Sequence, residues 1–170
     1  LIQAGLEPIA VHLFIFYWGM LSYITPPLAL GAFAAASVAK TPPMQTGYES
    51  MKIGSVIYFI PFFFVLDPGL VLVGHWQNIV FSSALAVFGV FIFAGAIQGY
   101  LAGIGPLFTR TPAGLLLRVP ILVGAVLIAL PGEAIPGVSD IELLIAGLAL
   151  IAPILTAAFI LNRRTAVAAA

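Results

Sequence analysis

Cysteine is absent from this 170-residue chain, and charged residues make up only 7% of it, six basic and six acidic. Without cysteine there is no disulfide and no thiolate chemistry, and the redox compartment leaves no mark. Two histidines and six acids, scattered along the chain, do not make the clusters that metal hydrolysis requires. Soluble domains carry roughly a quarter charged residues, so a soluble fold would lack the polar surface to cover itself. What is present is apolar: 62% hydrophobic residues and a mean hydropathy of +1.20. The composition predicts an all-α integral membrane protein, a polytopic helix bundle in a lipid bilayer. Net charge is zero, which argues against nucleic acid as a partner. Thirteen prolines and 17 glycines fit membrane helices better than soluble ones. The first residue is Leu1, and no charged n-region precedes the first apolar run. We therefore expect a fragment of a longer protein.

Uninterrupted apolar length predicts five segments. The first spans about 9–39 and is broken near 22–27 by Pro26-Pro27. Two prolines remove two amides, and Thr25 ahead of them is pushed away from helical geometry. The second segment is expected from about Ser50 to Leu66, bent at Pro61 and closed by the turn Asp67-Pro68-Gly69. The third runs from about Asn78 to Gly103. The fourth runs from Pro112 to Leu130, with Thr111 as N-cap and Pro112 as first helical residue. The fifth covers about 141–161, kinks at Pro153 and stops before Asn162-Arg163-Arg164. Two parts follow: 1–75 with the broken helix, and 76–170 with about three more helices.

Charge orders these segments. Lys40, Lys52, Arg110, Arg118, Arg163 and Arg164 all fall on one side if each segment crosses once, whereas Asp67, Glu133 and Asp140 fall on the other. The positive-inside rule makes the basic side, with the C-terminus, cytoplasmic. Segment one then crosses once and does not fold back, its surplus length leaving slack for an unwound middle.

That unwound middle is the candidate site. Gly19, Ser22, Tyr23, Ile24, Thr25, Pro26 and Pro27 lie where helical hydrogen bonding must fail. In hydrocarbon, freed carbonyls are tolerated only when buried in protein or lining a cavity, and interrupted helices at membrane depth mark transport sites. Carbonyls with the Ser22 and Thr25 hydroxyls would form a neutral oxygen cage suited to Na⁺, the one metal ion expected. The next half-helix aims its N-terminus at the same spot, favourable for an anionic group. The competing reading is a proline kink that binds nothing. Gly95, Gly99 and Gly103 form a small-residue stripe expected to pack a neighbouring helix. Arg118 is expected to snorkel to the interface, Gln98 to bond a neighbouring helix, Glu49 to pair with Lys52, and Asp67 to serve its turn. We expect no enzyme: no Asp or Glu occupies the middle of a segment, and Ser22 lies ten residues from His12 on one helix, about 15 Å along its axis. The remaining alternative is a non-transporting scaffold.

The run His12-Leu13-Phe14-Ile15-Phe16-Tyr17-Trp18-Gly19-Met20-Leu21-Ser22-Tyr23-Ile24-Thr25-Pro26-Pro27-Leu28-Ala29-Leu30-Gly31-Ala32-Phe33 resembles a signature of the large membrane subunit of TRAP transporters. In particular it is similar to the fused permeases that serve TAXI-type binding proteins. The likeness continues through Lys40-Thr41-Pro42-Pro43-Met44, Gly47-Tyr48-Glu49-Ser50-Met51-Lys52, Pro61-Phe62 and Asp67-Pro68, over roughly residues 1–75. The resemblance implies an inverted-repeat, elevator-type secondary transporter in a bacterial or archaeal cytoplasmic membrane. An extracytoplasmic solute-binding protein would deliver an organic anion such as a carboxylate, and Na⁺ would drive uptake without any other cofactor. Segment one would be the broken helix of the second repeat, whose hairpin and partner repeat lie outside this sequence.

Overall fold

A computed structural model describes residues 3, 5–107, 112–135 and 137–168. Arg110 and the expected N-cap Thr111 lie outside them, as does the side chain of Glu133. The chain divides into two compact units, 1–79 and 80–170.

In the first unit, α1 (Pro8–Met20) begins with proline at its first turn, where the missing amide costs nothing. A 3₁₀ turn at Leu21–Tyr23 follows, and helix resumes only at α2 (Leu30–Ala39). The cause is in the sequence. The carbonyls of Ser22 and Tyr23 would bond the amides of residues 26 and 27, and prolines have none. The interruption therefore falls where expected, and the Pro26–Pro27 peptide is cis. α2 is slim, with Ala32 and Ala36 buried, and it packs on α3 (Pro43–Ile53).

The second predicted segment is corrected. Helix starts at Pro43, not Ser50, and the chain breaks after Ile53, with a 3₁₀ turn at Ser55–Tyr58 before α4 (Ile60–Leu66). The axes on either side differ by 70°. The bend lies at Gly54-Ser55, because a Gly/Ser pair yields readily. Pro61 instead takes an early position in α4, where it is tolerated. α1 packs on α4 through rings: Phe14 and Trp18 meet Phe62 edge-on at 5.3 and 6.0 Å, and Tyr17 meets Phe64 at 5.4 Å. Positions 14, 17 and 18 share one helix face. Asp67 closes α4 as expected, its carboxylate accepting from the Gly69 amide at 2.7 Å.

In the second unit, α5 (Trp76–Gln98) is followed by a two-stranded hairpin, β1 (Tyr100–Leu101) with β2 (Gly105–Pro106), then α6 (Pro112–Ala129) and α7 (Asp140–Ala168). Two predicted boundaries move. The third segment stops at Gln98, because Gly99 and Gly103 adopt positive φ (+74° and +89°), which glycine supplies without a clash. The fifth continues past Arg163-Arg164: charge ends an apolar run, but nothing in Asn-Arg-Arg-Thr-Ala stops a helix. α7 opens with a capping box in which the Ser139 amide donates to Glu142 Oε2 at 2.8 Å, and Glu142 N–H donates to Ser139 Oγ at 3.3 Å.

The burial pattern is that of a membrane protein. No polar residue is buried among those described, while Val38 is 87% and Leu116 72% exposed. Trp76–Gln98 and Asp140–Arg164 are long and apolar enough to cross a bilayer, and Pro43–Ile53 with Ser55–Leu66 could form a third, bent span. The result is an all-α membrane fold with one small hairpin.

Candidate functional site

Two interruptions of helix meet inside the first unit. At the first, Leu21 carbonyl accepts from the amides of Ile24 (3.1 Å) and Thr25 (2.9 Å), and Thr25 carbonyl accepts from Ala29 at 3.0 Å. Ala29 is fully buried and left-handed, φ +35°. Glycine at 31 lets α2 pass the Tyr23 carbonyl: a Cβ there would lie 3.3 Å from that oxygen. Pro26 is held from α3, where a Cβ on the buried Gly47 would come within 2.8 Å of its ring.

The second interruption, Gly54–Tyr58, lies against the first. A Cβ on Gly54 would come 2.7 Å from Ile24 Cδ1. Thr25 Oγ1 and Tyr58 Oη share a hydrogen bond of 2.5 Å. Ser55 Oγ is buried and, among the described residues, has no hydrogen-bond partner. Beside the pair opens a cavity of about 670 Å³ lined by Phe16, Tyr17, Met20, Leu21, Tyr23, Ile24, Ile57 and Ile60. Its wall is almost wholly apolar, the character of an organic-ligand pocket.

Of the residues singled out by sequence, Tyr23 and Ile24 line this cavity, and Thr25 joins the two breaks. Ser22 turns its hydroxyl back to the Gly19 carbonyl at 2.8 Å, on an exposed surface. Gly19 is not demanded by packing, since a Cβ there would meet nothing within 4 Å. Pro26 lies under Gly47, and Pro27 is exposed. Each hydroxyl of the expected cage thus has its own protein partner. Sequence reasoning missed Gly54, Ser55 and Tyr58. The Gly-Ser pair in an otherwise apolar run was the available signal.

The glycine stripe is also corrected. Gly95 lies in α5, but Gly99 and Gly103 lie beyond its end and share no helix face with it. Gly95 is packed by Leu101 and the Tyr100 carbonyl and Gly99 by Arg118, whereas the close helix-to-helix packing occurs elsewhere. Cβ atoms on Gly124 and Gly147 would come 2.8 and 2.7 Å from each other's carbonyls, so α6 and α7 touch backbone to backbone, and α5 crosses α6 with Gly89 against Ala125 and Ala129. Arg118 does not snorkel free: its Nε donates to Leu107 carbonyl at 3.0 Å. Gln98 is exposed at the end of α5 and not at depth. Glu49 and Lys52 pair as expected, at 2.6 Å on an exposed face. No group of three or more His, Asp or Glu that could hold a metal occurs among the described residues.

The fold and this paired break define a helical, multi-pass membrane protein with an interrupted-helix core. Residues 1–79 match the family model of the tripartite ATP-independent periplasmic transporter, DctM component. The matched residues are those of the first unit and cover less than half of the 170-residue chain. The matched family is one of transporters, and the likeness is confined to the first unit. No curated protein and no solved structure matches the chain.

Proposed function

We propose that this chain supplies part of the transport core of a TRAP-type permease, a secondary transporter fed by an extracytoplasmic solute-binding protein. The observation that carries the reading is the meeting of two helix interruptions, joined by Thr25 and Tyr58, inside the segment similar to the DctM component. Irregular backbone at membrane depth is retained where it lines a site. The apolar cavity beside it suits the carbon skeleton of an organic anion. Na⁺ is the coupling ion in this reading, taken by carbonyls freed at Ser22 and Tyr23 with hydroxyls from Ser22 and Thr25. The buried Ser55 hydroxyl, unpartnered among the described residues, is a further oxygen in the second break. The finer assignment is a fused, TAXI-type permease in a cytoplasmic membrane with its C-terminus inside.

The test is uptake by proteoliposomes holding the full-length protein and its binding protein, with a Na⁺ gradient imposed or withheld. Uptake should require both, and Thr25→Ala and Ser22→Ala should lower apparent Na⁺ affinity while leaving expression intact. Wild-type Na⁺ dependence in both variants would remove the cation from this site. Uptake driven by protons alone would keep the transporter and discard Na⁺. For residues 80–170, beyond the family match, a scaffold role is favoured by the backbone-to-backbone packing at Gly124 and Gly147.

A further inference from the structure

The second unit sorts its described charges by end. Asp140 opens α7, with Glu142 in its first turn, whereas Arg163 and Arg164 come late in the same helix. Arg118, early in α6, lies with the basic end. Its guanidinium covers Gly99, where a Cβ would lie 2.6–2.8 Å from Nη2, Cζ and Nη1. Its Nε bonds the Leu107 carbonyl at 3.0 Å. On α7, Asn162 Nδ2 donates to the carbonyls of Ile104 and Pro106 at 2.9 and 3.0 Å. Arg118 and the arginine end of α7 therefore flank one hairpin.

Arg118 is half-buried, yet among the described residues its only hydrogen bond is that to Leu107, and the only ion pair among those residues is Lys52–Glu49. A guanidinium taken partly out of water without a counter-ion is costly, and both Nη groups retain unused donors. A planar fork of donors matches a phosphate. Exposed Leu115, Leu116 and Val119 adjoin it on α6, a surface for acyl chains. We propose that the second unit binds the phosphate headgroup of an anionic phospholipid at Arg118, with Arg163 and Arg164 adding to the attraction. Charge complementarity selects this occupant: three arginines, no described acid at that end, and an apolar flank.

The experiment titrates the full-length protein in detergent with phosphatidylglycerol, phosphatidylcholine or inorganic phosphate, reading melting temperature and the lipid retained in native mass spectrometry. Phosphatidylglycerol should raise the melting temperature and be retained, with little effect from the other two. Arg118→Gln should weaken retention by about fivefold, the equivalent of about 1 kcal/mol per arginine near a headgroup. If Arg118→Gln does not fold, the double variant Arg163→Gln with Arg164→Gln tests the same site and should weaken retention at least as much. Equal effects of the two lipids, unchanged retention in both variants, or stabilisation by inorganic phosphate to the same extent would each overturn the proposal.

Discussion

The two units treat proline and backbone strain in opposite ways. In residues 1–79 a doubled proline ends one helix and a Gly-Ser pair ends another, and the two ends meet. From residue 80 on, Pro120 and Pro153 lie inside helices that continue past them. One lost amide per helix is absorbed, whereas two consecutive losses, with the preceding threonine displaced, are not. Left-handed backbone divides likewise. Every non-glycine residue described with positive φ (Ala29, Lys40 and Leu72) belongs to the first unit, and the second uses Gly99, Gly103, Gly105 and Gly137. Strain in non-glycine residues collects where function requires it, and here it accompanies the unit that resembles a transporter.

The largest expected effect would break this comparison outright. Pro26→Ala with Pro27→Ala returns the amides that Ser22 and Tyr23 lack and favours a continuous helix. Uptake in proteoliposomes should fall to background while the protein still reaches the membrane. Pro153→Ala performs the same chemistry in the second unit and should leave uptake intact, with a higher melting temperature. Equal loss from both would show that the units do not differ in the way their prolines suggest.

Next in size is packing. Gly124→Leu drives a side chain into the Gly147 carbonyl and Ile151, and should cost about 1–3 kcal/mol, seen as a lower melting temperature. Gly19→Ala, with open space around its Cβ, should instead gain about 0.5–1 kcal/mol from helix propensity. Any change in uptake by Gly19→Ala would then report on the site and not on stability.

The break at Pro26-Pro27 was legible because proline acts through local covalent geometry that sequence states directly. So was the Asp67 turn. The ends of α5 and α7 were not, because hydropathy marks where lipid contact changes and not where helical hydrogen bonds stop. A glycine repeat likewise says nothing about direction: Gly95, Gly99 and Gly103 have the right spacing, but the helix ends between the first and second. Tyr58 could not be found from sequence. Its partner Thr25 is 33 residues away, and only the 70° bend after Ile53 brings the hydroxyls together.

Tyr58→Phe tests that long-range link. It removes one hydroxyl and leaves Thr25 Oγ1 part-buried without its partner, at a cost of about 1 kcal/mol. The expected result is a modest drop in melting temperature with a shifted Na⁺ dependence of uptake. An altered melting temperature with unchanged Na⁺ dependence would make the bond a brace only.

The smallest effects concern the left-handed residues, and they separate strain from its purpose. Lys40 ends α2 at φ +53°, with the Thr41 amide returning to the Ala36 carbonyl, a position where glycine is favoured. The side chain of Lys40 is exposed, so Lys40→Gly loses no burial and should gain a few tenths to about 1 kcal/mol. Ala29 has the same handedness but is fully buried. Glycine there relieves about 1–2 kcal/mol of backbone strain, but loses about 0.8 kcal/mol of methyl burial and adds about 0.5–1 kcal/mol of unfolded-state entropy. Those terms nearly cancel, so Ala29→Gly should leave the melting temperature almost unchanged while loosening the turn between the prolines and α2. Reduced uptake at unchanged stability would mean that the methyl group at residue 29 holds the break in shape for transport. Unchanged uptake would leave the prolines alone in that role.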